Sequence, residues 1–294
     1  MAKKAEGCGS MIKCIATDMD GTLLNTMQKI TEENRQAILQ AQSQGIEVVV
    51  ATGRSYQEAM FVLHEAGLTT PVICVNGAEV RSHTGEVISA IPIPRELVRE
   101  AAKRLNEHDV YFEVYTDKGA FTVDGGRAVS VLVDIVLSVN PDVNREEVAY
   151  AAGARLRDGL IHPIDDYETI FSDETYRIYK LLAFSFELDK LEAAGKSLFG
   201  FEGLTVTKSG NENIEIMARD AQKGIALEAF VRSQGISLSD TMAIGDNFND
   251  VSMLERAGIS VAMGNASDAI KSMCDRVTDT NEHSGVAKAI MQVL

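Results

Sequence analysis

The sequence predicts an α/β protein: a Rossmann-like, doubly wound parallel-sheet core with an inserted α/β module. Three observations carry this. From Met11 to about Gly67, apolar strand-like runs alternate with amphipathic helix-like runs, the rhythm of βαβ units. The same rhythm returns from Gly224 to Val293. Between roughly Ile91 and Gly210 it gives way to short alternating runs of the kind that half-exposed antiparallel strands show. The division expected is a flexible N-terminal extension at 1–10, a core of 11–90 and 211–294, and an inserted module of 91–210.

Each element has a local reason. Ile12 to Thr17 is a continuous apolar run and reads as the first strand. Thr31 can N-cap a helix with Glu32 and Glu33 in its first turn, Ala37, Ile38 and Ala41 inward, and Gly45 as its stop. Ile46 to Ala51 is a second buried strand. Ser55 and Glu58 have capping-box spacing for a helix that ends at Gly67, ahead of a strand over Val72 to Val75. In the module, strands are expected at Val110 to Thr116, Ala120 to Val123, Arg177 to Phe184 and Leu204 to Lys208, with helices near Arg95 to Glu107 and Arg145 to Arg157. Late in the chain come a helix over Gly224 to Gln234, a strand over Thr241 to Ile244, a helix over Asp250 to Ala257, a strand over Ile259 to Met263, and a last helix over Ser284 to Val293.

Composition narrows the function. The 294 residues suffice for two ordinary domains, and 45% hydrophobic with 24% charged is a globular balance. With 28 Lys and Arg against 43 Asp and Glu, the formal charge is −15, and no basic stripe is present; a generic nucleic-acid partner is not expected. The longest apolar stretch, Ala128 to Val139, is interrupted by Asp134 and is too short to span a bilayer, so no membrane partner is expected either. Cys8, Cys14, Cys74 and Cys274 lack CxxC spacing and read as reduced thiols, which suits a cytoplasmic location. Nothing in the sequence sets an oligomeric state.

Four segments carry chemistry, each at a strand end or helix start, where open parallel sheets bind ligands. In Asp18-Met19-Asp20-Gly21-Thr22, two carboxylates follow a buried strand and Gly21 allows the turn that brings them to one cleft. Carboxylates that close repel unless a cation lies between them or one holds a proton. The pattern suggests a carboxylate nucleophile beside a general acid and base, with a hard divalent metal; an Asp cluster capping backbone amides is the plainer alternative. Thr52-Gly53-Arg54 offers a hydroxyl, an amide and a helix N-terminus to a phosphate oxygen. Lys223 precedes a helix, and Gly245-Asp246-Asn247-Phe248-Asn249-Asp250 follows a strand with the acidic pair Asp246 and Asp250. One Mg²⁺, Lys223 and oriented amides would supply local positive potential to an anionic substrate within an acidic protein.

This ordered set resembles the four motifs of the haloacid-dehalogenase-like (HAD) superfamily. Asn76-Gly77-Ala78, Glu215-Ile216 ahead of Lys223-Gly224, and Asp250-Val251-Ser252-Met253-Leu254 are similar to its Cof-type sugar-phosphatase branch. The resemblance implies that Asp18 attacks phosphorus to form an aspartyl-phosphate while Asp20 protonates the leaving oxygen and then activates water. It implies Mg²⁺ on the Asp18 carboxylate, the Asp20 carbonyl and Asp246, with Asp250 in support, and phosphoryl oxygens gripped by Thr52, Gly53, Lys223 and Asn249. Arg54 and Asn76 are placed near the mouth, within reach of substrate. The inserted module takes the part of the mobile cap. The activity implied is hydrolysis of small phosphorylated metabolites, sugar phosphates or cofactors such as FMN or pyridoxal phosphate; a phosphomutase and a non-catalytic sugar-phosphate sensor are the alternatives. A P-type ATPase would carry Lys and Thr in place of Met19 and Asp20, and a haloacid dehalogenase would lack the acid at Asp20.

Overall fold

A computed structural model describes residues 11–140, 142–208 and 211–294; the extension expected at 1–10 lies outside them. The first five strands are β1 (Cys14–Asp18), β2 (Glu47–Ala51), β3 (Val72–Cys74), β4 (Glu79–Arg81) and β5 (Val87–Ala90). Then come β6 (Tyr111–Thr116), β7 (Gly119–Thr122), β8 (Ile161–Pro163), β9 (Ile178–Phe184), β10 (Leu204–Thr207) and β11 (Asn213–Ala218), followed by β12 (Thr241–Gly245), β13 (Ile259–Ala262) and β14 (Arg276–Val277). Among the described residues they form two sheets. One has the order β14-β13-β12-β1-β2-β3-β4-β5 and the other β10-β11-β9-β6-β7-β8.

In the first sheet every pairing from β14 through β3 is parallel, and β4 alone runs against the others, pairing antiparallel with β3 on one side and β5 on the other. Parallel strands need both faces covered, and β1 is buried at all five positions. Cys14 and Ala16 of β1 pack with Val49 and Ala51 of β2 and Ala243 of β12 against Leu227, Phe230 and Val231 of the helix Lys223–Ser233. The helix Glu32–Ser43, capped by Thr31 and buried at Ala37, Ile38 and Ala41, lies against the helix Gly285–Met291. The Ser55–Glu58 capping box closes in both directions at the start of the helix Tyr56–Glu65. Register then sets the site: Asp18 pairs with Ala51, Thr17 with Ile244, and Gly245 with Ala262, so β1, β2, β12 and β13 end level with one another.

The second sheet is antiparallel except where β7 meets β8. Its strands were expected to be half-exposed, but β6 is buried at every position. One face packs Tyr111, Tyr115 and Ala120 against Ala128 and Val131 of the helix Gly125–Val139, which the sequence reading left unassigned. On the other, Phe112 stacks on Tyr167 with ring centroids 4.8 Å apart. A strand covered on both sides by its own unit loses the polar alternation that marks a solvent face.

The chain divides into residues 222–294 with those up to 90, and 91–221. Strand β11, within the 211–294 segment read as core, pairs with β9 and β10 and so belongs to the second sheet. Four further expectations shift. The strand at Val72–Val75 stops at Cys74 because Val75 takes a left-handed φ of 47°. The expected helix over Asp250–Ala257 is a 3-10 turn, Phe248–Asp250, and a short helix, Val251–Leu254. The helix near Arg145 to Arg157 breaks at Gly153 into Arg145–Ala152 and Ala154–Arg157. The helix expected from Gly224 begins at Lys223. No described helix is long and apolar enough to cross a membrane.

Candidate active site

The level strand ends put Asp18, the last residue of β1, beside Thr52, the first after β2, and Asp246, the first after β12. Lys223 opens its helix underneath them, with no exposed surface. Its Nζ donates to Asp18 Oδ1 at 2.5 Å and to Asp250 Oδ1 at 2.7 Å. The second oxygen of Asp250 accepts from the amides of Asp246 and Asn247 at 3.0 and 3.1 Å. Asp250 is thereby held on both sides and fixes the loop that carries Asp246. Thr22 adds a hydroxyl, its Oγ1 donating to Asp246 Oδ1 at 2.8 Å.

Asp18, Asp246 and Asp250 each bring a carboxylate oxygen within 4.8 Å of the others. Three carboxylates around one ammonium leave an excess of two negative charges. Burial, and then the charge of Asp250, pushes the Asp18 carboxyl well above the ordinary carboxylate range, with Lys223 opposing. Asp246 is raised chiefly by burial, with Asp250 adding to it. Lys223 is held above its ordinary value: burial opposes its charge, but the carboxylates of Asp18 and Asp250 outweigh it. An all-oxygen donor set with surplus negative charge suits a hard divalent cation.

Gly21 makes the close approach possible. Its φ is +78°, and a Cβ there would stand 2.6 Å from Asp246 Oδ2.

The other predicted residues form a second group. Thr52 is buried, and its Oγ1 accepts from the Arg54 amide at 3.1 Å. Gly53 lies against Asn76, whose Oδ1 would be 3.2 Å from a Cβ at that position. Asn249 donates through Nδ2 to the same Asn76 Oδ1 at 3.2 Å. Asn76, expected near the mouth, is buried, with a left-handed backbone at φ 54° and ψ 26°. The Asp20 carboxylate stands outside the acidic cluster and is gripped by Arg54, Nε to Oδ2 at 2.8 Å and Nη2 to Oδ1 at 2.5 Å.

A family model for haloacid dehalogenase-like hydrolases matches residues 15–290. The chain belongs to this family. Phosphatase YwpJ of Bacillus subtilis (strain 168) is 38% identical over 285 residues, covering 96% of this chain and 100% of that protein. The 5-amino-6-(5-phospho-D-ribitylamino)uracil phosphatase YwtE of the same organism is also 38% identical, over 284 residues, covering 96% of this chain and 98% of that protein. A solved haloacid dehalogenase-like hydrolase from B. subtilis superposes with a TM-score of 0.85 at 38% identity, over 96% of this chain and 100% of that one.

In this haloacid dehalogenase-like hydrolase two residues that sequence reasoning did not single out hold the backbone from Gly21 to Leu24. Asn265 Nδ2 donates to the Gly21 carbonyl at 2.8 Å, and Asn281 Nδ2 to the Leu24 carbonyl at 2.9 Å. The Asn281 amide in turn donates to Asn265 Oδ1 at 3.1 Å. A signal existed for Asn265, which follows the end of β13 in the same row of strand ends. Gln28, whose Oε1 accepts from Arg54, left no such mark.

Proposed function

We propose that the protein is a Mg²⁺-dependent phosphomonoester hydrolase of small phosphorylated metabolites, working through an aspartyl-phosphate on Asp18. The observation that carries this reading is the buried Lys223 ammonium shared between Asp18 and Asp250, with Asp246 close by and Asp20 two residues beyond Asp18. A nucleophilic carboxylate, a fixed cation and a separate carboxyl for proton transfer are the parts that phosphomonoester hydrolysis needs.

The Asp18 and Asp246 carboxylates and the Asp20 carbonyl would hold Mg²⁺, with Asp250 fixing the loop beneath. Bound there, the ion would draw charge from the phosphoryl oxygens. Lys223, the Thr52 hydroxyl, the Gly53 amide and Asn249 would orient the phosphoryl group and stabilise charge as it spreads. Asp18 attacks phosphorus; the bond to the leaving oxygen breaks, and that oxygen takes a proton from Asp20. Water then attacks the aspartyl-phosphate, gives its proton to Asp20, and releases phosphate and Asp18. Asn76, packed against Gly53 and hydrogen-bonded to Asn249, would set the spacing of two phosphate contacts.

The substrate class is drawn from relatives named for a phosphorylated ribitylamino-uracil and for pyridoxal phosphate, and the panel that tests it adds sugar phosphates and FMN. The test is phosphate release from such a panel with Mg²⁺ or EDTA, beside Asp18→Asn. Metal-dependent release that the variant lacks is expected. Release by Asp18→Asn at the wild-type rate would remove Asp18 as nucleophile, and no release from any substrate would favour a mutase or a sensor.

A further inference from the structure

Arg54 stands next to the phosphate-binding pair Thr52-Gly53 and would ordinarily be read as a substrate contact, yet its guanidinium faces another partner. Two of its nitrogens take the two oxygens of Asp20 in parallel, at 2.8 and 2.5 Å, the fork-to-fork arrangement that gives Arg its geometric specificity for carboxylates. The Nη2 group also donates to Gln28 Oε1. Gln28 belongs to the loop that follows Asp20, itself closed by hydrogen bonds from the Gln28 amide to the Asn25 carbonyl at 2.9 Å and from the Asn25 amide to the Lys29 carbonyl at 3.0 Å. The backbone beneath the side chain is pinned as well. The Arg54 amide donates to Thr52 Oγ1 at 3.1 Å, and its carbonyl accepts from the Val75 amide at 2.9 Å, where Val75 holds a left-handed φ of 47°. A β-branched residue adopts that backbone only where its surroundings impose it.

The geometry points to Arg54 as a positioning residue for Asp20: it clamps the carboxylate form and aims it for the half-reaction in which water attacks the aspartyl-phosphate. This deepens the phosphatase reading above and rests on it. In that half-reaction the water oxygen bonds to phosphorus, the water proton goes to Asp20, and the bond from phosphorus to Asp18 oxygen breaks with its electron pair returning to Asp18. The group needed there is a carboxylate held still, which a bidentate guanidinium provides.

A substrate with a good leaving group separates the two halves, because nitrophenolate departs without needing a proton. Full-length wild type, Arg54→Met and Gln28→Ala would be compared on p-nitrophenyl phosphate with Mg²⁺, by steady state and by stopped flow. For Arg54→Met we expect kcat and KM to fall together, on the order of 10- to 100-fold and within the range of acid and base catalysis, with kcat/KM nearly unchanged because it reports the first half-reaction. A burst of nitrophenolate should appear before the slow steady state, since phosphoenzyme still forms and then waits for water. Gln28→Ala, which removes the buttress alone, should give a smaller fall in the same direction. Arg54→Lys should recover little, having the charge without the fork.

A raised KM at constant kcat would make Arg54 a substrate contact and overturn the proposal. So would a fall in kcat without a burst, which places the loss before the phosphoenzyme, or an Arg54→Met enzyme indistinguishable from wild type. Failure of the wild type itself to release phosphate would instead count against the phosphatase reading.

Discussion

Lys223 meets Asp250 at 2.7 Å beneath the candidate active site, and neither side chain has any exposed surface. A charge pair so deep is stable only while both partners remain, because the loss of one strands the other away from water. Asp250 has no free side, since its second oxygen takes the amides of Asp246 and Asn247. The pair therefore ties the base of the site to the fold.

Replacing Lys223 with Met should lower stability by about 3–5 kcal/mol at neutral pH, as expected for breaking a buried pair, along with loss of turnover. Urea unfolding in EDTA measures the first effect. Adding Asp250→Asn to Lys223→Met should restore part of the stability and none of the activity; a double variant less stable than Lys223→Met would refute the charge argument.

Asp18→Asn removes a carboxylate that burial, and then the charge of Asp250, pushes above its ordinary pKa. The variant should fold, with a Tm in EDTA no lower than that of the wild type. Mg²⁺ should raise the Tm of the wild type more than that of the variant, because binding to the folded state adds stability in proportion to affinity. Equal shifts in a thermal melt would show that the ion binds elsewhere.

Arg95 donates to four backbone carbonyls, those of Ile170 at 3.2 Å and of Phe171, Asp173 and Tyr176 at 2.7 Å each. Truncation to Ala leaves acceptors without a partner, and we expect a loss on the order of 2–3 kcal/mol. Limited proteolysis should then cut within residues 170–176 faster than in wild type. Unchanged cutting would mean that the loop holds without its guanidinium.

Burial, with Glu47 adding to it, pushes the Cys14 thiol from an ordinary 9.0 up to about 12, and burial also raises Cys74. A raised folded-state pKa stabilises through the protonated form. For Cys14 that contribution is complete below 9.0 and is lost as pH rises towards about 12. At pH 8 iodoacetamide should leave both thiols unmodified in the folded protein and alkylate them in urea, read by peptide mass. Alkylation of Cys14 in the native state at the rate seen in urea would contradict its burial.

The candidate-site segments were legible because their signals are local. A buried apolar run ending in Asp18, a capping box at Ser55 and a strand leading to Asp246 are each read within about ten residues, and hydrophobic periodicity and capping act on that scale. The order of the segments then placed Asp18, Thr52, Lys223 and Asp246 at strand ends and a helix start.

Partner choice was not legible. Arg54 sits three residues past a strand end, as a phosphate contact would, and nothing in its neighbours shows that Asp20, 34 positions earlier, takes its guanidinium. Asn249 reaches Asn76 across 173 positions, and Asn265 reaches Gly21 across 244. Val75 reads as the end of a strand, yet the Arg54 carbonyl draws its amide into a left-handed turn. Residues 213–218 were expected in the core with the rest of 211–294; antiparallel pairing with β9 and β10 puts β11 in the second sheet. Local pattern thus decides which segments become strands and helices and what chemistry stands at their ends. Which charge meets which is settled only when a sheet assembles and brings distant loops within hydrogen-bonding distance, because that choice depends on packing and burial rather than on spacing along the chain.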